Sequence, residues 1–206
     1  MLFGVEDELV QVPSAEAMRN AFEASGGPFR WWQHLTADHF TFALLDDWSK
    51  EADYAAGQRR VHDPARVTFR TATFLDAPQY GIRHDAAYWV SRIRPRATEF
   101  YADTDLTSSG CGAPVVTPTD VATPGTDPVP YVEDGRDVAI TDGPAVARLE
   151  GTLANVSQLR VDVRRTCLTG AFAYALHSDG PATLTFSDGR VLALVAGDNA
   201  GTLPAR

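Results

Sequence analysis

Lysine is nearly missing from this chain. Lys50 stands alone, and every other residue among the 18 basic ones is arginine. The arginines are scattered, and 27 acidic residues leave a formal charge of −9. No basic stripe therefore marks the chain for nucleic acid or an anionic lipid surface. No apolar run approaches ~20 residues, so no membrane-spanning helix is expected. Cysteine is limited to Cys111 and Cys167, and no zinc-type spacing exists. His62, His84 and His177 share no metal-ligand spacing, and Asp103, Asp105 and Asp120 fit no EF-hand loop. Neither a metal nor a cofactor is expected. The opening residues, MLFGVEDELV, hold no basic n-region and no apolar h-region, so no signal peptide is legible in them.

What remains is an ordinary globular composition. Of 206 residues, 44% are hydrophobic and 22% charged, which excludes a disordered, collagen-like or coiled-coil chain. Three zones follow one another. Residues 1 to about 60 read as strand, helix, strand, helix, the rhythm of a parallel sheet. Leu2-Phe3 is a strand stub stopped by Gly4. Ser14 is the expected N-cap of a helix whose apolar face is Met18, Ala21, Phe22 and Ser25. Phe29 to Leu35 is an aromatic strand, and a second helix is expected from Thr41 to Gln58, with Phe42, Leu45, Trp48 and Ala52 on one face.

Residues 65–206 read as β structure. Val67 to Thr71 and Tyr88 to Ile93 are strand-like, and Leu159, Val161 and Val163 alternate with charged residues. Asp179-Gly180 and Asp188-Gly189 are hairpin turns, implying a three-stranded meander over about 171–195. Between these runs, 102–145 holds six of the 13 prolines and reads as a long irregular excursion.

Two turns in the first zone carry chemistry. Gly4, Asp7 and Val10 form a Gly-x-x-Asp-x-x-Val turn after one strand. Ala37, Asp38, His39 and Phe40 form a small-x-His-aromatic turn after the next. The spacing from Asp7 to His39 leaves room for one helix and one strand. These residues resemble the last third of an α/β-hydrolase domain, in which such turns carry the acid and base of a Ser-His-Asp triad. The fold class this implies is α/β plus all-β: the last strands and helices of an α/β-hydrolase sheet (residues 1–60), then an antiparallel β-sandwich-like accessory domain (residues 65–206). Asp7 and His39 are the catalytic candidates. His34 is the rival base and Glu6 the rival acid, while Asp38 reads as a helix cap.

The family's Gly-x-Ser-x-Gly nucleophile motif is absent. Ser108 and Ser109, in LTSSGCG, are its nearest imitation, but they follow the His and lack the leading glycine. The expectation is therefore the carboxy-terminal part of a larger bacterial serine hydrolase of the esterase or peptidase type, inactive alone. It would act on small-molecule or polymeric esters or amides, and an upstream hydrolase portion or an oligomer would cover its sheet edge. The resemblance implies a secreted parent, and in an oxidising compartment Cys111 and Cys167 are a candidate disulfide. The alternative function is a non-catalytic β-sandwich module that binds or stabilises a polymer or partner protein. Tyr88, Trp89 and Tyr101 are candidates for a sugar-stacking platform.

Overall fold

A computed structural model describes residues 2–45, 48–58, 61–127 and 129–206. The chain forms two compact units, Met1–Arg60 with Val115–Thr141, and Val61–Pro114 with Asp142–Arg206.

In the first unit, β1 (Leu2–Gly4) lies parallel to β2 (Phe29–His34), with Phe3 opposite Gln33, and α1 (Val12–Ala24) connects them. Phe29 and Trp31 pack with Phe3 and Ala15 beneath α1, and the Phe3 and Trp31 rings stack at 5.6 Å. On the opposite face of β2, Trp32 meets Tyr54 of α3 (Ser49–Gly57) edge-on at 6.2 Å. The second expected helix is two helices among the described residues, α2 (Thr41–Leu45) and α3. Asp46 and Asp47, between them, lie outside the described residues, as does the Phe42 side chain. Helix α1 begins after Gln11, not at Ser14, because Pro13 starts its first turn. Ala15 is its one buried residue, while Met18 and Phe22 of the expected apolar face are exposed.

The expected α/β-hydrolase sheet is not what forms. β1 and β2 do pair in parallel. On the other side of β2 runs β7 (Tyr131–Asp142), antiparallel, with Trp31 opposite Asp134 and Gln33 opposite Val132. β6 (Pro114–Gly125) pairs with β7, giving the order β1-β2-β7-β6. Strand dominates the whole chain, in three mixed sheets with three α-helices among the described residues. The overturning element is thus the segment expected to be irregular. Its prolines are compatible with strand because Pro118 and Pro124 sit in β6, the sheet's edge strand, where a missing N–H on the open side costs no ladder bond. β6 is exposed along nearly all its length, so no alternation of apolar and polar residues announces it.

The second unit is a two-sheet sandwich. One sheet has the order β13-β10-β8-β5-β3 and the other β12-β11-β9-β4. Their strands are β3 (Arg66–Thr71), β4 (Val90–Pro95), β5 (Ala102–Ser108), β8 (Arg148–Ala154), β9 (Val156–Val161), β10 (Phe172–Ser178), β11 (Ala182–Phe186), β12 (Val191–Leu194) and β13 (Gly197–Leu203). Inward residues of both sheets, among them Val67, Leu106, Leu149, Leu159, Leu176 and Leu184, form one core with Trp89. Strict alternation marks them: β5 buries Ala102, Thr104, Leu106 and Ser108 and turns Asp103, Asp105 and Thr107 outward.

The sandwich is mixed, not antiparallel, because β10 runs parallel to β8 and β11 parallel to β9. Both pairings come from one device. β8 passes into β9 through Asn155 alone, and β10 passes into β11 through residues 179–181, so two adjacent strands each cross from one sheet to the other. Asp188-Gly189 does close an antiparallel hairpin between β11 and β12. Asp179-Gly180 is instead a corner between sheets, and no three-stranded meander exists. Asn155 fixes that corner. It adopts a left-handed φ of 55°, as asparagine tolerates, and its side chain holds both the N–H and the C=O of Ala97. Its backbone N–H donates to Asp179.

Cys111 and Cys167 are joined by a disulfide. Cys167 lies in a turn beyond the end of β9. β9 ends at Val161 because Asp162 Oδ1 accepts the Arg164 and Arg165 amides, turning the chain.

Candidate active site

The turns after β1 and β2 are laced together. The Val5 amide donates to the His34 carbonyl and the Glu6 amide to the Ala37 carbonyl, at 2.9 and 3.0 Å. This approach explains Gly4, where a Cβ would stand 2.4 Å from the Ala37 oxygen. Only glycine lets the two turns touch.

The latch brings Asp7 and His39 side by side. Asp7 Oδ1 accepts the Leu9 and Val10 amides, each at 2.8 Å, and Oδ2 lies 3.0 Å from His39 Nδ1. The Val10 amide is the main reason the Asp7 carboxyl stays below its ordinary pKa, with His39 and the Leu9 amide adding to it against partial desolvation. A carboxylate here makes Nδ1 the protonated nitrogen and leaves the Nε2 lone pair available. Among the described residues none hydrogen-bonds to Nε2, and the imidazole is 41% exposed.

Asp38 has a separate task. Its Oδ1 accepts the Phe40 and Thr41 amides and the Thr41 hydroxyl, which caps α2, and these bonds, the Thr41 hydroxyl first, lower its pKa. His39 opens onto a cavity of about 410 Å³ lined by Glu6, Glu8, Leu9, Asp38 and Phe40. The lining has an apolar part in Leu9 and Phe40 and an acidic rim. Among the described residues that line it there is no serine, threonine or cysteine, so the pair can move a proton but has no hydroxyl or thiol nucleophile beside it.

The other sequence candidates lie elsewhere. His34 is wholly buried on β2, its ring tilted against that of Tyr131 at 5.3 Å between centroids, and it does not line the cavity at His39. Glu6 lines the cavity without touching His39. Ser108 is buried and its hydroxyl donates to the Thr166 carbonyl, a structural bond. Asp103 and Asp105 are held by Arg70 and Arg66, and Asp120, in the other unit, by Arg136. Trp89 is a core residue whose indole N–H donates to Pro64, so Tyr88, Trp89 and Tyr101 share no exposed platform. Sequence reasoning missed the Gly4–Ala37 latch, although a glycine at the strand end was its visible trace.

Compared with protein-family models, curated proteins and solved structures, the chain matches none. Among the described residues no helix is long and apolar enough to cross a membrane, and the disulfide is compatible with an extracellular setting.

Proposed function

We propose that Asp7 and His39 are the acid and base of a Ser-His-Asp acyl-transfer site acting on esters or amides, whose serine lies outside these 206 residues, in a protein exported from a bacterial cell. The observation that carries this reading is the Asp7 Oδ2–His39 Nδ1 contact of 3.0 Å, with Nε2 left free at a cavity. Asp7 fixes the tautomer and stabilises the imidazolium. His39 Nε2 takes the serine proton as the acyl carbon is attacked and returns it to the leaving alcohol or amine; water then repeats the cycle. Support also comes from the open flank of the unit: no described strand pairs with β1 beyond β2, and Leu9, Phe40 and Leu44 around the cavity and α2 are exposed.

The test is to express the chain with its upstream in-frame coding sequence and follow p-nitrophenyl ester hydrolysis. The active protein should lose about 10³–10⁴-fold in kcat on Asp7→Asn or His39→Ala. An upstream frame without a serine nucleophile, or undiminished hydrolysis by His39→Ala, overturns the reading. So does stoichiometric labelling of one serine by a fluorophosphonate in the 206-residue chain alone.

A further inference from the structure

A second cavity, sharing no residue with the one at His39, opens in the first unit between α1 and the sheet. It measures about 470 Å³, within the range of small-molecule clefts, roughly 300–1,000 Å³. Its origin is topological. α1 packs on β1 and β2 through Ala15 and meets β7 through polar contacts, Arg19 with Asp134 and Arg136 with Glu23, so Asp134 and Val132, cross-strand neighbours of Trp31 and Gln33, line a cleft beside the helix.

The lining has unused hydrogen-bonding capacity of both kinds. Trp31 lines this cavity, its side chain is otherwise packed against Phe3, and no described residue accepts its indole N–H, which is left for a ligand or water. The Gln33 amide, on the same face of β2, also bonds to no described side chain or backbone group. From α1 come the Asn20 amide, whose oxygen already accepts Arg19 and whose NH₂ stays available, and the Glu16 carboxylate, which makes no ion pair with a described residue. The one cation is spent: Arg19 Nε donates to Asp134 at 2.7 Å, and Nη1 to Glu23 at 2.8 Å.

We propose that this cavity binds a neutral polyhydroxylated ligand, a sugar unit free or within a glycan. With Arg19 neutralised by two carboxylates and Glu16 unpaired, the lining repels anions. Indole and amide N–H donors beside amide and carboxylate acceptors suit hydroxyls, which donate and accept at once. The edge of Trp31 with Val132 offers apolar surface for the C–H face of a ring.

Saturation-transfer NMR and calorimetric titration of the 206-residue protein with D-glucose, D-galactose, D-xylose, cellobiose and maltose test this. At least one sugar should bind saturably at one site. Gln33→Leu should weaken it about tenfold, the value of one hydrogen bond to a desolvated partner, and Trp31→Phe, which keeps the ring, by a similar factor. Circular dichroism establishes that each variant is folded, and Gln33→Leu alone suffices if Trp31→Phe is not. His39→Ala should bind as the parent does, which separates this site from the acyl-transfer reading. No saturable binding of any sugar, binding unchanged in Gln33→Leu, or preferential binding of spermidine or acetate overturns the proposal.

Discussion

The corner at Asn155 lets the β-sandwich be perturbed at one atom group with a calculable cost. Its Oδ1 accepts the Ala97 amide at 2.8 Å, and Nδ2 donates to the carbonyls of Ala97 and Tyr101 at 2.9 and 3.1 Å. Asn155→Ala removes three bonds worth about 1 kcal/mol each and puts a Cβ residue without a helping polar group at φ 55°, a further cost of about 1 kcal/mol. The expected loss is about 4 kcal/mol. Asn155→Gly loses the same bonds but not the backbone term, so it should lose about 3 kcal/mol and be the more stable of the two. The chain has two units and a single melting curve would mix them. Native-state hydrogen exchange at Leu153, Leu159, Leu176 and Leu184, all in the sandwich core, reads that unit by itself. A loss below about 1 kcal/mol for Asn155→Ala would refute the corner's structural role. An order in which the glycine variant is weaker than the alanine one would refute the backbone term.

Three further outcomes follow from the same geometry. Replacing Cys111 and Cys167 by alanine opens a link across a sequence separation of 56; the chain-entropy estimate is a loss of about 4 kcal/mol, read by the same amides, and a loss under about 1 kcal/mol contradicts it. Gly4→Ala forces the Ala37 carbonyl away, at about 1–3 kcal/mol, and should break the Asp7–His39 contact. In ¹⁵N NMR of the imidazole the Nδ1–H tautomer would then give way, whereas an unchanged spectrum would show that the latch does not position the pair. Asp103 and Asp105 have their pKa values lowered chiefly by hydrogen bonds from Arg70 and Arg66, against partial desolvation. Because the folded values lie below the unfolded ones, near 3.9, the stability they confer is complete above about pH 4 and is lost as pH falls through the folded values. Arg66→Gln should move the Asp105 carboxyl ¹³C midpoint upward and leave Asp103 in place. Equal movement of both, or of neither, refutes the pairwise assignment.

The sequence was legible where one residue's neighbours along the chain decide its environment. Asp7 and its two backbone donors fall within four positions, and the Asp38 cap is equally local. The alternation of β5 and the Asp188-Gly189 hairpin also write their burial into consecutive residues. It was misleading where a segment's partner is distant. Nothing between 114 and 142 states that β7 will lie along β2, since β6 is exposed nearly throughout and β7 is only half-buried, so neither needs a regular apolar alternation, and prolines at an edge strand look like those of a loop. Asp179-Gly180 shows the same limit: its residues suit a hairpin turn, but β10 is already paired on both sides, by β8 and β13, and β11 must enter the other sheet.

That distant pairing also decides what the first unit can do. Had β2 remained an edge, its unpaired N–H and C=O groups would invite another chain. With β7 seated there, the open edge of the sheet on this side passes outward to proline-bearing β6, while β1 keeps its own free flank beside the Asp7 turn. The two flanks are thus unequal: one is closed by the chain's own arm and made unsuited to further pairing, the other carries Gly4, Asp7 and the exposed Leu9. Under the acyl-transfer proposal, the segment carrying the serine would pack against β1 and not against β6. The same seating places Asp134 and Val132 opposite Trp31 and Gln33, so the arm that closes the edge also floors the second cavity. Deleting residues 115–141 should then abolish sugar binding and expose β2 together, whereas shortening the arm only at its tip, residues 124–130, should spare both.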